Sequence, residues 1–487
     1  MTGVEVGRAL VDGAELDVGA TFPVLDPATA EPVALVARCG PGEVDAAVDA
    51  AGRAFAHGWR RVPASERARA LHELAALIRR DRDALARLES LDTGKPLRQA
   101  FADVDVAARY FEFYGNVSEA VYGETIPVSA DVFAYTLREP FGVTAHIVPW
   151  NYPIQISART LAPALAAGNC CVLKPSEEAP LTPLRLGRLA LEAGFPPGVL
   201  NVVPGLGEEA GAALAAHPAI THLAFTGSAD VGRLVGKAAA ENCVPVTLEL
   251  GGKSPNIVFA DADVEAAAPV VVASILQNAG QTCSAGSRLL VEEDVHERLV
   301  DEISRRFRAA AIGPGLEDAD LGPLISQAQR DRVAGFVDAG RREATLVTGG
   351  APPDDEHLGR GFFWEPTLFD EVDPAAAIAR EEIFGPVLSV TAFRGADEAL
   401  ALADSSPYGL IAAVWTRDVA LAHTLVRELE VGQVYVNSYG AGGGVELPFG
   451  GRKRSGHGVE KGYEAMLAYT RTKTAAVRLD HAVAHGE

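Results

Sequence analysis

Hydrophobic residues recur with helical spacing in the first quarter of the chain. Between residues 67 and 88 the apolar side chains are spaced by three, four or seven positions, at Leu71, Leu74, Leu77, Ile78, Leu85 and Leu88. This spacing predicts one amphipathic helix, and the following Gly94 and Pro96 are typical of a helix end. A second helical pattern covers residues 98–119, so the first 120 residues are predicted to be mainly helical.

Near residue 142 the pattern changes to short β-rich runs that alternate with alanine-rich helical runs. Strands are predicted at 143–148, 170–174, 200–203, 221–225 and 246–250, and helices at 154–167, 183–193, 208–216 and 230–240. Such alternation predicts a parallel sheet covered by helices on both faces, a doubly wound, Rossmann-like nucleotide-binding architecture. A second α/β stretch runs from about 263 to 436, with strands at 387–393 and 411–415. Residues 131–137 are predicted to join a small extra sheet.

Composition narrows the class of protein. A chain of 487 residues is long enough for about two or three domains. The formal charge of −22 argues against nucleic acid or an anionic membrane as the main partner. No apolar run reaches the roughly 18 residues of a membrane helix, and the N-terminus lacks a basic-then-apolar signal segment. Five cysteines without a paired framework indicate a reducing compartment, so a cytoplasmic protein without a metal site is expected.

One cysteine is a candidate nucleophile. Cys283 lies in Gly280-Gln281-Thr282-Cys283-Ser284-Ala285-Gly286, a glycine-flanked loop after the apolar stretch 264–279. A thiol there is accessible to a substrate, but it reacts only as the thiolate and needs a base or electrostatic help. Cys39, Cys170, Cys171 and Cys243 are predicted to be ordinary packing residues.

Three segments could hold a dinucleotide. In Phe225-Thr226-Gly227-Ser228 a strand runs into a helix start, where backbone amides and the Ser228 hydroxyl favour a phosphate. Gly205–Gly211 is closer to the glycine fingerprint, but its acidic helix start predicts a turn near the adenine end. In Lys174-Pro175-Ser176-Glu177, the carboxylate at a strand end could hold ribose hydroxyls and disfavour the 2′-phosphate of NADP. The alternative for this last segment is an exposed loop ion pair.

Two polar residues at strand ends complete the candidate chemistry. Glu249 lies between leucines and is followed by two glycines; partial burial would raise its pKa and suit it to proton abstraction. Its alternative role is a pair with Lys253. Asn151, in Pro149-Trp150-Asn151-Tyr152-Pro153, could donate to a developing oxyanion, and its alternative role is a turn asparagine.

Taken together, these segments resemble the aldehyde dehydrogenase superfamily. The matches, in the family's order, are residues 149–153, 174–177, 225–228, 249–253, 280–283, Glu381-Glu382-Ile383-Phe384-Gly385-Pro386, and Pro448-Phe449-Gly450-Gly451 followed by Ser455-Gly456. The resemblance implies a dinucleotide-binding domain from 1–120 and 141–251, and a catalytic domain from 252–454. It also implies a small oligomerisation sheet from 121–140 and 455–487, and therefore a homodimer or homotetramer.

The resemblance also implies roles. Cys283 would attack the aldehyde, Asn151 and the Cys283 backbone N–H would hold the oxyanion, and Glu249 would activate the water that releases the acid. NAD is the expected cofactor, with NADP possible; Glu382 would bind the nicotinamide ribose and Phe384 would pack near the ring. The full set of expected cofactor residues is Val148, Pro149, Trp150, Lys174, Ser176, Glu177, Gly207, Gly211, Phe225, Gly227, Ser228, Val231, Gly232, Leu250, Gly251, Glu382 and Phe384.

On the substrate side, the helix after Asn151 is expected to line a tunnel. Tyr152 and Arg159 are seven residues apart and share a helix face, so Arg159 could bind a carboxylate at the far end of an aldehyde. The alternative is an arginine bonded to structural carboxylates or carbonyls. Ser284 and Phe449 are the other expected substrate residues, and the glycine-rich loop 440–446 suggests an entrance that a ring-bearing aldehyde could fit.

Two departures and two rival functions stay open at this stage. Relatives that use a second glutamate, matching Glu460, often carry a lysine where this chain has Thr160, which leaves a relay role for Glu460 in doubt. Similarly, Gln277 stands where semialdehyde-specific relatives often carry a second arginine. The rival functions are a coenzyme A-acylating oxidoreductase, which the presence of Glu249 disfavours, and a non-catalytic binding or structural member of the family.

Overall fold

The computed structural model describes residues 5–440 and 444–479. In chain order the strands are β1 Glu5–Gly7, β2 Ala9–Val11, β3 Ala14–Leu16, β4 Thr21–Asp26, β5 Glu31–Ala37, β6 Thr125–Ser129, β7 Val132–Pro140, β8 Val143–Ile147, β9 Cys170–Lys174, β10 Leu200–Val202, β11 His222–Thr226, β12 Val246–Glu249, β13 Pro255–Val258, β14 Arg288–Glu292, β15 Thr345–Thr348, β16 Thr367–Asp370, β17 Val387–Phe393, β18 Tyr408–Gly409, β19 Ile411–Trp415, β20 Gln433–Val436, β21 Arg452–Lys453, β22 Gly456–His457 and β23 Thr470–Arg478.

The helices are α1 Pro41–His57, α2 Ala64–Arg80, α3 Arg82–Thr93, α4 Leu97–Val117, α5 Pro153–Ala167, α6 Leu181–Glu192, α7 Ala212–Ala216, α8 Ala229–Glu241, α9 Val264–Leu276, α10 His296–Ala309, α11 Gln327–Glu343, α12 Ala377–Arg380, α13 Gly395–Asp404, α14 Val419–Glu428 and α15 Gly462–Ala468. No helix of the described residues is long and apolar enough to span a bilayer.

The first large sheet has the order β22-β12-β11-β8-β9-β10-β2-β3. Its five central strands are parallel, and β22, β2 and β3 add antiparallel edges. The parallel strands run from β8 through β9 to β10, and the chain then returns to add β11 and β12 on the other side of β8. The strand order therefore reverses between β8 and β11, which is the switch point of a doubly wound sheet. Fully buried strands such as β9, with its five buried residues, explain the continuous apolar runs of the sequence.

The second large sheet has the order β15-β16-β17-β14-β13-β19-β20 and is parallel except at β15. Two apolar cores cover its faces. A third, antiparallel sheet joins β6, β7 and β23, and so links the segment around residue 130 to the C-terminal strand. Two small sheets, β1-β5-β4 and β18-β21, complete the set in the described residues. The α/β fold class with a Rossmann-like unit is confirmed.

Two local predictions are wrong. The pattern at 67–88 is not one helix, because Asp81 leaves helical geometry (ψ 14°) and binds Arg80 and Arg185 between α2 and α3. The first 120 residues are mainly helical as predicted, through α1–α4, but the strands β1–β5 within residues 5–37 were not predicted. These strands are short and polar, so their period-2 signal is weak. Cys243 is exposed with a left-handed backbone (φ 54°), while Cys39, Cys170 and Cys171 are buried as predicted.

Candidate active site

The carboxyl ends of four parallel strands are level at one edge of the first sheet. In register, Ile147 of β8 lies between Phe225 of β11 and Lys174 of β9. Thr226 of β11 lies opposite Glu249 of β12. The segments that leave these strands carry Asn151 after β8 and Ser228 after β11, so the predicted side chains meet where such sheets bind ligands.

The loop that carries Cys283 is shaped by an unusual backbone. After α9 the chain turns through Asn278, Ala279 and Gly280, which all have left-handed φ angles between 49° and 73°. A Cβ at Gly280 would stand 2.1 Å from the Gly385 carbonyl oxygen, so only glycine fits. The turn leaves Cys283 half-buried in the wall of a cavity of about 480 Å³, which Asn151 and Glu249 also line.

Asn151 is fixed to the cysteine loop by hydrogen bonds. Its Nδ2 donates to the Gln281 carbonyl at 2.9 Å, and its own carbonyl accepts from Asn278 Nδ2 at 2.9 Å. One Nδ2 hydrogen remains for another acceptor. Among the described residues the Cys283 backbone N–H also has no acceptor. Two residues that line the same cavity, Asn151 and Cys283, therefore each keep an unused N–H donor, which is the kind of group that an oxyanion site needs.

Glu249 is almost completely buried and lacks hydrogen-bond partners. Only 1% of it is exposed, and neither carboxyl oxygen is bonded within the described residues. Burial raises its pKa well above the usual value, and the charge of Glu460 adds to this, whereas Arg159 and Lys461 oppose it. The alternative pair with Lys253 does not form, because the Lys253 ammonium is itself buried without a partner. Burial thus disfavours the charged form of a carboxyl group that lines the cavity.

The thiol of Cys283 is also held in its neutral form. Burial raises its pKa to about 11, while the nearby charges of Arg159 and Lys461 lower it. Glu382 and Glu249 oppose these cations. A thiolate therefore forms only when a base removes the proton or when charge is added nearby.

Arg159 is already paired with a carboxylate. Its guanidinium Nε forms a buried ion pair with Glu460, and its Nη2 donates to Thr226 Oγ1 at 3.2 Å. This is the alternative that the sequence left open, and the Arg159 charge is not free for a substrate carboxylate. Thr160, one residue further on, bonds His146 and Tyr469 instead of Glu460. The partner of Glu460 is thus Arg159 and not Thr160.

A groove of about 700 Å³ continues from the catalytic cavity along the strand ends. Pro149, Trp150, Thr226, Gly227 and Ser228 line both spaces, so the two are continuous. Most of the expected cofactor residues line this groove: Val148, Pro149, Trp150, Lys174, Ser176, Glu177, Gly207, Gly211, Phe225, Gly227, Ser228 and Val231. The groove and cavity together have a volume that suits an extended dinucleotide.

The polar groups of the groove fit NAD. Lys174 Nζ donates to Glu177 Oε2 at 2.9 Å, and Glu177 Oε1 accepts from Gly207 N–H at 3.3 Å. Burial raises the pKa of Glu177, but the charge and hydrogen bond of Lys174 outweigh it, so the pKa lies below its usual value. A fixed carboxylate at this position accepts from sugar hydroxyls and repels a 2′-phosphate. At the other side, Ser228 caps α8 by accepting from Val231 N–H, which leaves its own hydrogen for a phosphate.

The remaining expected cofactor residues lie closer to Cys283. Leu250, Gly251, Glu382 and Phe384 line the catalytic cavity. Glu382 accepts from Gly252 N–H at 3.0 Å, and a Cβ at Gly251 would come within 2.1 Å of its carboxylate. Gly232 is absent from the lining; it provides close packing, since a Cβ there would stand 2.5 Å from Leu250. The Phe384 ring meets Trp150 edge to face at 5.3 Å, which forms an aromatic wall.

The expected substrate residues surround Cys283 from the opposite side. Phe449 packs with Leu410 and Ile411 against Cys283. The carbonyl of Ser284 accepts from Tyr439 Oη at 2.6 Å, which fixes the far side of the loop. Tyr152, at the start of α5, is buried. Of the predicted entrance loop, residues 441–443 lie outside the described residues, and Glu446 forms an ion pair with Arg109 at 2.5 Å.

Two lysines that the sequence did not single out contribute to the site. Lys95 is fully buried; it donates to Asp103 and to the Asn151 carbonyl at 2.8 Å, and it lies 4.2 Å from the Tyr152 ring centroid. Lys461 extends its ammonium to 5.0 Å from the centre of the Phe449 ring. No spacing rule joins either lysine to its partners, which are up to 56 residues away for Lys95.

Known proteins resemble the chain along nearly its whole length. The profile of the aldehyde dehydrogenase family matches residues 15–475. The mitochondrial aldehyde dehydrogenase of Equus caballus is 44% identical over 465 residues, 94% of this chain and 92% of the relative. A solved structure of a candidate aldehyde dehydrogenase from Burkholderia cenocepacia is 50% identical, with a TM-score of 0.95 over 97% of this chain and 100% of the other. An NAD⁺ complex of an aldehyde dehydrogenase from Bacillus cereus is 39% identical, with a TM-score of 0.95 over 98% and 97%.

Proposed function

The chain belongs to the aldehyde dehydrogenase family, and we propose that Cys283, Asn151 and Glu249 carry out its NAD-dependent oxidation of an aldehyde to a carboxylic acid. The observation that carries this assignment is the single cavity that all three side chains line, continuous with a groove that suits a dinucleotide. NAD is held by Lys174, Ser176, Glu177 and Ser228 in the groove and by Glu382 beside the cavity.

The first step is addition of the Cys283 sulfur to the aldehyde carbon. The thiol gives its proton to the Glu249 carboxylate in the same cavity, and Glu249 releases that proton to solvent before it acts on water. The S–C bond forms, and the carbonyl π electrons move to oxygen to give a thiohemiacetal oxyanion. Asn151 Nδ2 and the Cys283 backbone N–H donate to that oxygen, because both have an unused hydrogen beside the sulfur. Such donors stabilise the charge as it develops. Lys95 and Asn278 hold the Asn151 backbone and so preserve the geometry.

NAD, when bound, supplies the two-electron acceptor that converts the thiohemiacetal to a thioester. The remaining work falls to Glu249, which removes a proton from the water that attacks the acyl carbon. A carboxylate whose pKa is raised by burial is a stronger base than an exposed one. The C–S bond then breaks, the carboxylic acid leaves, and Cys283 recovers its proton.

The test is NADH formation with a panel of aliphatic, aromatic, cationic and carboxylated aldehydes. The unmodified enzyme should reduce NAD and release the free acid, and Cys283→Ala should reduce the rate below detection. Absence of turnover with every aldehyde would contradict an enzyme and favour a binding or structural role. Release of an acyl-coenzyme A that depends on added coenzyme A, with little free acid in its absence, would indicate the acylating rival.

We also propose that the chain forms a homodimer or homotetramer through the sheet of β6, β7 and β23. Its strands carry apolar side chains that are exposed in the single chain, at Ile126, Val128, Phe133, Leu137 and Val477. Phe133, Leu137 and Val477 lie on one face of the sheet, because Phe133 pairs with Val477 and is four residues from Leu137. An exposed apolar face favours association. Light scattering tests this, and Phe133→Glu should shift the mass toward the monomer.

A reducing, cytoplasmic setting is proposed because all five cysteines are free and Cys283 must remain a thiol.

A further inference from the structure

Lys461 points its charge to the substrate side of Cys283. The residue before it, Glu460, pairs through its backbone with Phe449, with N···O distances of 2.6 and 2.7 Å in the two directions. Lys461 itself has a left-handed φ of 60°, between Gly458 and Gly462, which also have positive φ angles. Its Nζ stands 5.0 Å from the centre of the Phe449 ring, which packs on Cys283. The ammonium therefore stands beside a ring that packs on the Cys283 side chain.

The charge of Lys461 has no counter-ion in the described residues. No carboxylate lies within 4.0 Å of its ammonium, although the neighbouring cation Arg159 is neutralised by Glu460. Within the described residues neither Glu249 nor Glu460 forms an ion pair with Lys461, although the charges of both act on its pKa. The Phe449 ring offsets only part of the cost of burying an ammonium. The site thus holds an ammonium group without an ion-pair partner.

Lys461 stays a cation at neutral pH. Burial lowers its pKa to about 8, and Arg159 lowers it further, while Cys283, Glu460 and Glu249 act in the opposite sense. Phe449, the ring beside the Lys461 ammonium, forms an apolar cluster with Leu410 and Ile411 that packs against Cys283. An aldehyde that suits this arrangement has an apolar middle and an anionic end.

We propose that Lys461 is a specificity-determining residue that binds a carboxylate on the aldehyde substrate, at the end of the molecule remote from the carbonyl. The proposal rests on the proposed oxidation at Cys283. It assigns to Lys461 the anion-binding role that the sequence suggested for Arg159. A lysine fits this role as a compact point charge with rotatable donors.

The experiment measures kcat/KM for succinate, glutarate and adipate semialdehydes and for the methyl ester of each. The acid-to-ester ratio cancels any effect of a variant on the chemistry common to both substrates. For at least one chain length, Lys461→Met should lower this ratio by about tenfold or more, as expected for a lost charge-assisted hydrogen bond. The change should be mainly in KM for the acid.

Lys473→Met is the matched control. Lys473 is an exposed lysine of β23 that pairs with Glu139, so its loss changes the net charge by the same amount far from Cys283. The ratio in this control should equal that of the unmodified enzyme. Lys461→Glu should lower the acid-to-ester ratio further than Lys461→Met does, and it should favour an aldehyde with a trimethylammonium end.

A binding measurement on the unmodified enzyme does not depend on how the variants fold. Succinate, glutarate or adipate should compete with the aldehyde, and the corresponding diamide should compete at least about tenfold less well. Equal inhibition by acid and diamide, or an unchanged acid-to-ester ratio in a folded Lys461→Met, overturns the proposal. An equal loss on acid and ester would mean that Lys461 acts on Cys283. Loss of the proposed function is distinct, because then no acid or ester would be oxidised at all.

Discussion

The two sides of Cys283 are built in different ways. On the cofactor side, the groove is lined by residues that directly follow the strands β8, β9 and β11, so each functional side chain is fixed by its own short motif. On the substrate side, the side chains come from distant parts of the chain. Arg159 belongs to α5, whereas Phe449, Glu460 and Lys461 lie near the C-terminus. Arg159 and Lys461 both lie over the Phe449 ring. Arg159 is paired with Glu460, whereas Lys461 has no ion-pair partner in the part of the chain that the structure describes.

This difference determines what a charged residue can do. Lys174 and Glu177 satisfy each other and still present hydrogen-bonding groups to a groove. Arg159 and Glu460 neutralise each other inside the protein, and their function is to support the site. Lys461 keeps an uncompensated charge. Identical residue types therefore have different roles, which only their partners reveal.

The largest contrast is expected between two glutamates, one on each side. Glu249→Gln cannot accept a proton from water, so steady-state turnover should fall by about 10²–10⁴-fold, with a burst of NADH before it stops. Glu177→Gln makes the same chemical change in the groove. This variant should show no burst of NADH, and its KM for NAD should rise. Stopped-flow and steady-state NADH absorbance measure both. Similar kinetics in the two variants would contradict the division of roles.

Removal of the oxyanion donor should have the next largest effect. Asn151→Ala deletes the Nδ2 group that faces the space beside Cys283, and kcat should fall by about 10²–10³-fold with little change in NAD affinity. The melting temperature serves as the control, because Asn151 also bonds Gln281. A loss below about tenfold in a normally folded variant would remove Asn151 from the oxyanion site.

The buried pair should contribute to stability more than to substrate binding. Arg159→Met leaves the Glu460 carboxylate buried and unpaired, and should destabilise the enzyme by about 3–5 kcal/mol. The double variant Arg159→Met/Glu460→Leu should recover much of this loss. Urea unfolding measures the stability. If Arg159→Met instead selectively weakened oxidation of carboxylated aldehydes, Arg159 would be the anion-binding residue after all.

Cofactor choice should depend on the Glu177 carboxylate. Glu177→Gln removes the charge that repels a 2′-phosphate, so the NADP-to-NAD ratio of kcat/KM should rise by about tenfold. Glu208→Gln is a suitable control, because Glu208 lines the same groove and belongs to a neighbouring loop. A rise of equal size in both variants would show that the ratio depends on the total charge of the groove and not on the position of Glu177.

The smallest effect is a pH dependence on the substrate side. Lys461 is charged below its lowered pKa of about 8 and neutral above it, so the acid-to-ester ratio should be highest below pH 8 and fall as pH rises through it. Arg159 remains charged, and changes at Cys283 and Glu249 cancel in the ratio. A ratio that does not vary across this range would argue against an anion bound to Lys461.

The local architecture could be predicted because its signals are local. Strands β9, β17 and β19 have the predicted bounds, since each is a mostly apolar run between loop residues. The break at Asp81 was missed because the apolar spacing continues through it, and only the partner Arg185 explains the bend. The residues of the groove were accessible to motif reasoning, since they follow strand ends directly.

The substrate side could not be predicted in the same way. The seven-residue spacing of Tyr152 and Arg159 correctly gives a shared helix, but it does not reveal Glu460, about 300 positions away, as the partner of Arg159. Lys461 carries no motif, and its role depends on a left-handed backbone next to Phe449. Charge compensation is a tertiary property, so sequence spacing alone could not show that Arg159 is already paired with a carboxylate.

Mass spectrometry can detect the proposed covalent acyl intermediate on the Cys283 sulfur. Glu249→Gln enzyme is mixed with NAD and an aldehyde, quenched in acid, and digested. The peptide with Cys283 should carry the mass of the acyl group in near-stoichiometric amount, and this adduct should be absent without NAD or in Cys283→Ala. An NADH burst with an unmodified Cys283 peptide, or an adduct on another residue, would contradict it.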